Sequence, residues 1–228
     1  MSTAARPPVI AFDLDGTLVD TAPDLLNTLD VILREAGAPA LPHEETRKMI
    51  GAGAKALLLR GLDAAGLKLP EDKVEHLYLR FLDHYADHIA DESRPFPGLL
   101  PALDRLASEG YVLAVCTNKL EWLSRRLLER LEIADRFATI AGGDTFPVHK
   151  PDAAHLLGTI EAAGGSPARA VMVGDSITDV TTAKNARVPS IVVPFGYTET
   201  PAAELGGDVL IAHFDLLPDT VARLLVPA

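Results

Sequence analysis

Val9-Ile10-Ala11-Phe12-Asp13-Leu14-Asp15-Gly16-Thr17-Leu18-Val19-Asp20 sets a run of apolar residues directly against an acidic turn. The first four residues read as a short strand covered on both faces, because nothing polar interrupts them. Such a strand offers no water to a charge, yet Asp13 and Asp15 follow at once. Side chains alternate along an extended chain, so the two carboxylates fall on the same side. Like charges that close repel unless a cation sits between them. A hard divalent cation with oxygen ligands answers that need, and Mg2+ is the usual one in cells. Gly16 then supplies a backbone able to turn sharply and approach a ligand closely.

The remainder of the chain supplies a setting for this stretch. After Asp20 the period changes from strand to helix: Leu25, Leu26, Leu29, Ile32 and Leu33 recur at helical spacing over Asp24–Ala36, and Gly37 with Pro39 ends the run. Further helices are expected over His43–Ile50, Gly53–Ala65 and Glu71–Ile89, and nothing from Thr21 to Arg94 reads as a strand. Pro95-Phe96-Pro97-Gly98 closes this helical block. From Leu99 onward helices and strands alternate, as they do in a parallel sheet with crossover helices. Helices are expected over Leu99–Glu109, Leu120–Leu131, Ala153–Ala163, Ile177–Ala186 and Pro218–Leu225. Strands are expected over Tyr111–Cys116, Ala138–Ala141, Ala170–Val173, Ser190–Val193 and Val209–Ile211. The expected fold class is therefore α/β, a Rossmann-like parallel-sheet core with an inserted all-helical cap. Residues 1–20 and 95–228 make the core and 21–94 the cap. Asp20 lies where the chain leaves one for the other.

Composition narrows the function. The chain has 228 residues, 48% hydrophobic and 23% charged, which suits a soluble globular protein. A net charge of -11 opposes a nucleic-acid or anionic-membrane partner. A small phosphate ester is still admissible, since it needs only a local cationic pocket and a metal. Cys116 is the single cysteine, so no internal disulfide forms, and no signal-peptide-like or membrane-length run is present. A cytoplasmic protein, monomeric or homodimeric, is the expectation.

In open parallel sheets ligands bind beyond the carboxyl ends of the strands. Asp13-Leu14-Asp15-Gly16-Thr17 follows the first strand, Thr117-Asn118-Lys119 the second, and Gly174-Asp175-Ser176, with Asp179 one turn on, the strand at Ala170. Lys150-Pro151 lies just ahead of a helix. Four polar clusters thus fall at one edge of one sheet.

This ordered set (Asp-x-Asp-Gly-Thr, strand-Thr-Asn, Lys-Pro, Gly-Asp-x-x-x-Asp) resembles the haloacid dehalogenase-like phosphatase superfamily over nearly the whole chain. Within it the wording is most similar to the bacterial phosphoglycolate phosphatases. The resemblance implies a Mg2+-dependent phosphatase acting on a small phosphorylated metabolite, with 2-phosphoglycolate the leading candidate, through an aspartyl-phosphate on Asp13. A carboxylate serves as nucleophile in such chemistry. Asp15 is expected to protonate the leaving alcohol and later activate water, which a raised pKa favours. The resemblance assigns Mg2+ to Asp13, the Asp15 carbonyl and Asp175, with Asp179 orienting the metal shell or Lys150 rather than binding directly. Thr117 and Asn118 are neutral donors to phosphate oxygens, and Lys150 is the fixed cation. Gly16 and Thr17 present backbone amides to the phosphate.

Singly, each cluster also has an ordinary reading: Asp-Gly-Thr as a turn, Thr117 as a helix cap, Gly174-Asp175-Ser176 as a strand-to-helix turn. Gly51-Ala52-Gly53-Ala54-Lys55 lacks the features of a dinucleotide or phosphate-binding loop. It reads either as a helix-to-helix link with a solvated lysine or, by resemblance, as a cap loop whose Gly51, Gly53 and Lys55 touch the distal part of the substrate. His84 and His88 read as a polar helix face, His149 as a loop residue, Cys116 as a small buried hydrophobe, and Trp122 with Leu123, Leu127, Leu128 and Leu131 as core. The same core also serves sugar-phosphate phosphatases, pyrophosphatases, β-phosphoglucomutase-like enzymes and, with a cap lysine such as Lys48 or Lys55 forming a Schiff base, phosphonate hydrolases. A dehalogenase would not normally carry Asp15. From a different class, a phospho-receiver signalling module shares the acidic pocket, threonine and lysine, but the helical insertion and Asp15-Gly16-Thr17 oppose it. A catalytically dead binding protein is opposed by the filling of all four clusters.

Overall fold

A computed structural model describes residues 6–198 and 200–225. β1 (Val9–Phe12) is fully buried. β2 (Val19–Asp20) follows the acidic turn and leads into α1 (Ala22–Glu35), α2 (His43–Thr46), α3 (Ala54–Ala64) and α4 (Glu71–Asp87). β3 (Arg94–Pro95) leads out again. Then come α5 (Leu99–Ser108), β4 (Val112–Cys116), α6 (Glu121–Arg130), β5 (Thr139–Ala141), α7 (Ala153–Ala162), β6 (Ala170–Gly174), α8 (Ile177–Ala186), β7 (Ser190–Val192), β8 (Val209–Leu210) and α9 (Leu217–Leu225). Element boundaries lie within a few residues of those the sequence predicts. The expected helix over His43–Ile50 is a four-residue helix continued by a 3-10 turn at Arg47–Met49.

The main sheet has the order β5-β4-β1-β6-β7-β8 with every pairing parallel. β1 is flanked by β4 with Val9 opposite Val112, and by β6 with Val9 opposite Ala170. The strand order reverses about β1, so the crevice at its carboxyl end is the switch point where such sheets bind ligands. Helices cover both faces. Val9 and Ala11 enter one apolar cluster with Leu156 and Ile160 of α7, and Ile10 and Phe12 enter the other. The second cluster runs without interruption into α1, α3 and α4, through residues such as Leu29, Leu57 and Phe81. The helical segment thus shares apolar packing with the sheet.

One strand pair escapes the sequence pattern. β2 and β3 form a two-stranded antiparallel ribbon, Val19 opposite Pro95 and Asp20 opposite Arg94, where the chain passes into and out of the helices. At two residues each, these strands are too short to show a period. A buried carboxylate fastens the same junction. Asp24, in the first turn of α1, accepts hydrogen bonds from the Glu92 and Ser93 amides at 2.8–3.1 Å and from Ser93 Oγ at 2.6 Å. Trp122 departs from its expected place in the core: it is 44% exposed on α6, while Leu123, Leu127 and Leu128 are buried and Leu131 is only partly so. Adjacent positions 122 and 123 lie about 100° apart on a helix, so only one of them can lead the buried face. No helix among the described residues is long and apolar enough to cross a membrane.

Candidate active site

Neighbouring strands β1, β4 and β6 end side by side, and this brings Asp13, Thr117 and Asp175 to one spot. Asp13 is 6% exposed; its Oδ1 accepts the Leu14 amide at 2.7 Å and lies 2.9 Å from Lys150 Nζ. Lys150, 2% exposed, also donates to Asp179 Oδ1 at 2.6 Å. The other oxygen of Asp179 accepts the Ser176 amide at 3.1 Å and its hydroxyl at 2.7 Å, closing the first turn of α8. Asp175 accepts Thr17 Oγ1 at 2.9 Å and the Tyr197 amide at 2.8 Å. Gly16, at φ 82°, has room for no Cβ, because one built there would stand 2.8 Å from Asp175 Oδ2. Gly196 is constrained in the same way by the Asp175 side chain.

Charge in this cluster does not balance. Asp13, Asp175 and Asp179 each bring a carboxylate oxygen within 4.8 Å of the others, and Lys150 is the ammonium among them. Three carboxylates against one ammonium leave two negative charges over. Burial pushes the Asp13 carboxyl up to about 6, more than Lys150 pulls it down, with Asp179 adding to the rise. Burial likewise raises Asp175 to about 8, helped by the carboxylates of Asp179 and Asp13. Burial by itself would lower Lys150, but Asp13 and Asp179 outweigh it and hold the ammonium well above the ordinary lysine range. An excess of two negative charges on hard oxygen donors fits a divalent cation of the Mg2+ type. Asp13 and Asp175 are the members best able to hold it, because both border the open cleft, whereas Asp179 does not and is engaged through both oxygens by Lys150 and Ser176.

A second charged group lies at the same strand ends. Asp15 accepts Thr21 Oγ1 at 2.7 Å and Lys119 Nζ at 2.9 and 3.2 Å. Lys119, 6% exposed, also donates to Tyr85 Oη of α4 at 2.9 Å, with Nζ 4.5 Å from the Tyr85 ring centre. Burying an ammonium costs several kcal/mol, and a buried ion pair seldom returns more than that. Two buried lysines at one sheet edge therefore mark a working site rather than a source of stability.

Thr117 is buried, and its hydroxyl oxygen accepts the Lys119 amide at 3.3 Å. Asn118 donates to the Lys150 carbonyl at 3.2 Å, and its Oδ1 is buried without a partner among the described residues. Asn118 thus braces the Lys150 loop.

Two hollows meet beneath the loop that precedes α3. A cleft of about 440 Å³ reaches Asp13 and Asp175 and is bordered by Lys48, Gly51, Arg60 and Tyr197. A small cavity of about 20 Å³ lies against Asp15, Lys119 and Tyr85, roofed by Ile50, Gly51 and Gly53. Gly51 borders both and Gly53 the second. Lys55 stands apart from them. Its ammonium pairs with Glu75 at 2.7 Å with 53% of the side chain exposed, and it borders neither hollow. It is the second residue of α3, and its long side chain lies toward α4, with Nζ 5.4 Å from the Tyr78 ring centre. His84, in the last turn of α4, stacks on His88 just past its end and bonds Thr28, and neither histidine borders the two hollows.

Four residues the sequence left without a role belong to this region. Lys119 stood in plain view beside Thr117 and Asn118, and its place three residues past a strand end was the available signal. Tyr85 was concealed by its spacing of four from Phe81, which reads as core. Tyr197 and Arg47 sit in no motif. Tyr197 donates to Asp20 at 2.7 Å and accepts the Thr21 and Ala22 amides at 2.6 and 2.9 Å. Arg47 lies 4.8 Å over its ring and bonds both Asp20 oxygens at 3.2 Å.

A family model described as haloacid dehalogenase-like hydrolase matches residues 10–193. The chain is 46% identical over 226 residues to a phosphoglycolate phosphatase of Agrobacterium fabrum strain C58, spanning 99% of this chain and 97% of that protein. It is 48% identical over 216 residues to a phosphoglycolate phosphatase of Caulobacter vibrioides, spanning 95% and 91%. Among solved structures, a predicted phosphoglycolate phosphatase from Haemophilus somnus 129pt superposes with a TM-score of 0.89 at 29% identity, over 93% of this chain and 97% of that one.

Proposed function

The chain belongs to the haloacid dehalogenase-like hydrolases, and from that premise we propose that it hydrolyses a small phosphate monoester, 2-phosphoglycolate before others, by way of an aspartyl-phosphate on Asp13. The observation that carries this reading is the buried set Asp13, Asp175, Asp179 and Lys150, whose two unbalanced negative charges suit Mg2+ and whose lysine suits a phosphoryl oxygen. The names of the relatives point to the substrate.

In the first half-reaction an Asp13 oxygen attacks phosphorus and the bond to the leaving oxygen breaks, with the proton for the departing alcohol supplied by Asp15. In the second, Asp15 takes a proton from water, the water oxygen bonds phosphorus, and the bond to Asp13 breaks to release phosphate. Lys150, fixed between Asp13 and Asp179, stands ready for the equatorial oxygens, joined by the Thr117 hydroxyl, the Asn118 amide and the backbone at Gly16 and Thr17. Asp13, Asp175 and the Asp15 carbonyl would hold Mg2+, whose chemistry there would be charge neutralisation on the phosphoryl group. Asp179 acts at one remove, aiming Lys150 and closing the turn of α8. Residues 21–94 serve as a cap, and Gly51 and Gly53 line the roof that excludes water. Lys48 and Arg60 at the mouth of the cleft offer an anionic substrate a local attraction on a chain of net charge -11.

The test is phosphate release with Mg2+ from a panel of esters. Turnover of 2-phosphoglycolate well above that of hexose phosphates and pyrophosphate is expected. Preference for a hexose phosphate or pyrophosphate, or turnover unaffected by a metal chelator, contradicts it.

A further inference from the structure

We propose that Lys119 and Tyr85 form the recognition site for a carboxylate on the leaving group, and so select substrates whose alcohol half is a two-carbon hydroxy acid. The inference rests on the phosphatase reading above and adds to it the residues that choose the substrate.

Three observations converge. First, the Lys119 ammonium is held beside Asp15, the group proposed to protonate the leaving oxygen, so whatever is attached to that oxygen lies within the reach of Lys119. Second, Tyr85, fully buried, accepts from Lys119 through its oxygen while its own O–H finds no acceptor among the described residues. A buried hydroxyl that donates to nothing is costly, and an oxygen of a bound anion satisfies it. Third, the cavity these groups face is walled by Leu57, Leu120 and Leu123 and holds about 20 Å³, room for one water-sized group. A carboxymethyl group asks for far less added room in that space than a sugar ring.

Charge explains why a lysine stands there. A leaving group with a carboxylate brings a second negative charge next to Asp15, and the two repel without a cation between them. Lys119 already touches Asp15 through both of its oxygens and has a flexible stem, so one ammonium can serve both carboxylates. An uncharged leaving group has no such need. The same apolar walls that shut out water strengthen the contact with an anion.

The experiment compares two esters with the same two-carbon chain, 2-phosphoglycolate and ethyl phosphate, in the wild-type protein, Lys119→Met and Tyr85→Phe, with Mg2+ present. The readout is the ratio of kcat/KM for the two esters. Any loss common to both reports the placement of Asp15, and the ratio reports recognition of the carboxylate. The ratio is expected to favour 2-phosphoglycolate in the wild type, to fall about 10²-fold in Lys119→Met and about fivefold in Tyr85→Phe, which keeps the ring and its packing. Glycolate should inhibit the wild type competitively and lose that effect in Lys119→Met. An unchanged ratio in both variants, or equal turnover of the two esters by the wild type, overturns the proposal while leaving the phosphatase reading intact. Failure of the wild type to release phosphate from either ester removes both.

Discussion

At the Asp13 end of the crevice the buried charged groups all belong to the sheet and its connections: Asp13, Lys150 and Asp175 from strand ends and loops, and Asp179 from the first turn of α8. At the Asp15 end the groups come from both sides of a seam, with Asp15 and Lys119 from the sheet, Tyr85 from α4, and Ile50 and Gly51 from the loop ahead of α3. The first end needs nothing from the helical segment to hold its geometry. The second exists only when that segment is seated. Under the proposed function the labour therefore divides: the sheet would fix the phosphoryl chemistry, and the seam would decide what may be attached to the phosphate.

Substitutions that separate the two ends should differ in kind as well as in size. The largest effect is expected from Asp13→Asn, which leaves the carboxamide where the carboxylate stood and removes the proposed nucleophile. Turnover should fall about 10⁴-fold or more on every ester, with the circular dichroism spectrum unchanged. Residual Mg2+-dependent turnover within tenfold of the wild type would show that phosphorus is attacked by something else.

Next comes Lys150→Met, expected to cost about 10²–10³-fold in kcat/KM on all substrates alike, since one preorganised charge on the phosphoryl group is lost. A loss confined to one class of leaving group would move Lys150 from the chemistry to selection and erase the contrast between the two ends.

The metal prediction turns on protons. Asp175 and Asp13 are raised to about 8 and about 6, chiefly by burial, so the folded metal-free protein retains protons that the unfolded chain gives up at ordinary carboxylate pH. Their contribution to metal-free stability is therefore largest in acid and is lost as pH rises through those values. Mg2+ competes with the same protons. The gain in Tm on adding millimolar Mg2+ should be larger at a pH of about 8.5 than at about 5.5, and Asp175→Asn should shrink that gain. A gain that is independent of pH, or untouched in Asp175→Asn, would place the ion elsewhere.

A smaller effect is expected at the junction. Arg47→Ala removes a partly exposed pair with Asp20 and the stacking on Tyr197, and should raise KM a few-fold with kcat nearly kept, because the cap seats less firmly. A drop in kcat with unaltered KM would argue against a seating role. Lys55→Ala should change kcat/KM for 2-phosphoglycolate by less than about twofold, its ammonium being committed to Glu75 on the solvent side. A large loss there would restore it to the substrate.

The same contrast governs what the sequence disclosed. The sheet end was legible because its residues sit where a period stops: Asp13 after Val9–Phe12, Thr117 after Cys116, Asp175 after Gly174. A strand end fixes position and direction together, and motif spacing then does the rest. The seam was not legible, because Tyr85 lies in the last turn of a helix whose apolar pattern is satisfied equally well by a core residue, and only the folding of α4 onto the sheet brings its hydroxyl to Lys119. Lys55 shows the converse. It follows the glycines of the roof loop in sequence, but one step along a helix turned it to solvent. The β2–β3 ribbon is too short to carry a pattern, and its pairing depends on residues 74 positions apart at Asp20 and Arg94.

The central claim is that the phosphoryl group passes through Asp13, and acid quenching during steady turnover of 2-phosphoglycolate tests it most directly. Peptide mass spectrometry of the quenched protein should find one added phosphoryl group on the peptide containing Asp13, absent from Asp13→Asn. Steady release of phosphate with no phosphorylated peptide at any quench time, or with the group on another residue, would contradict the account.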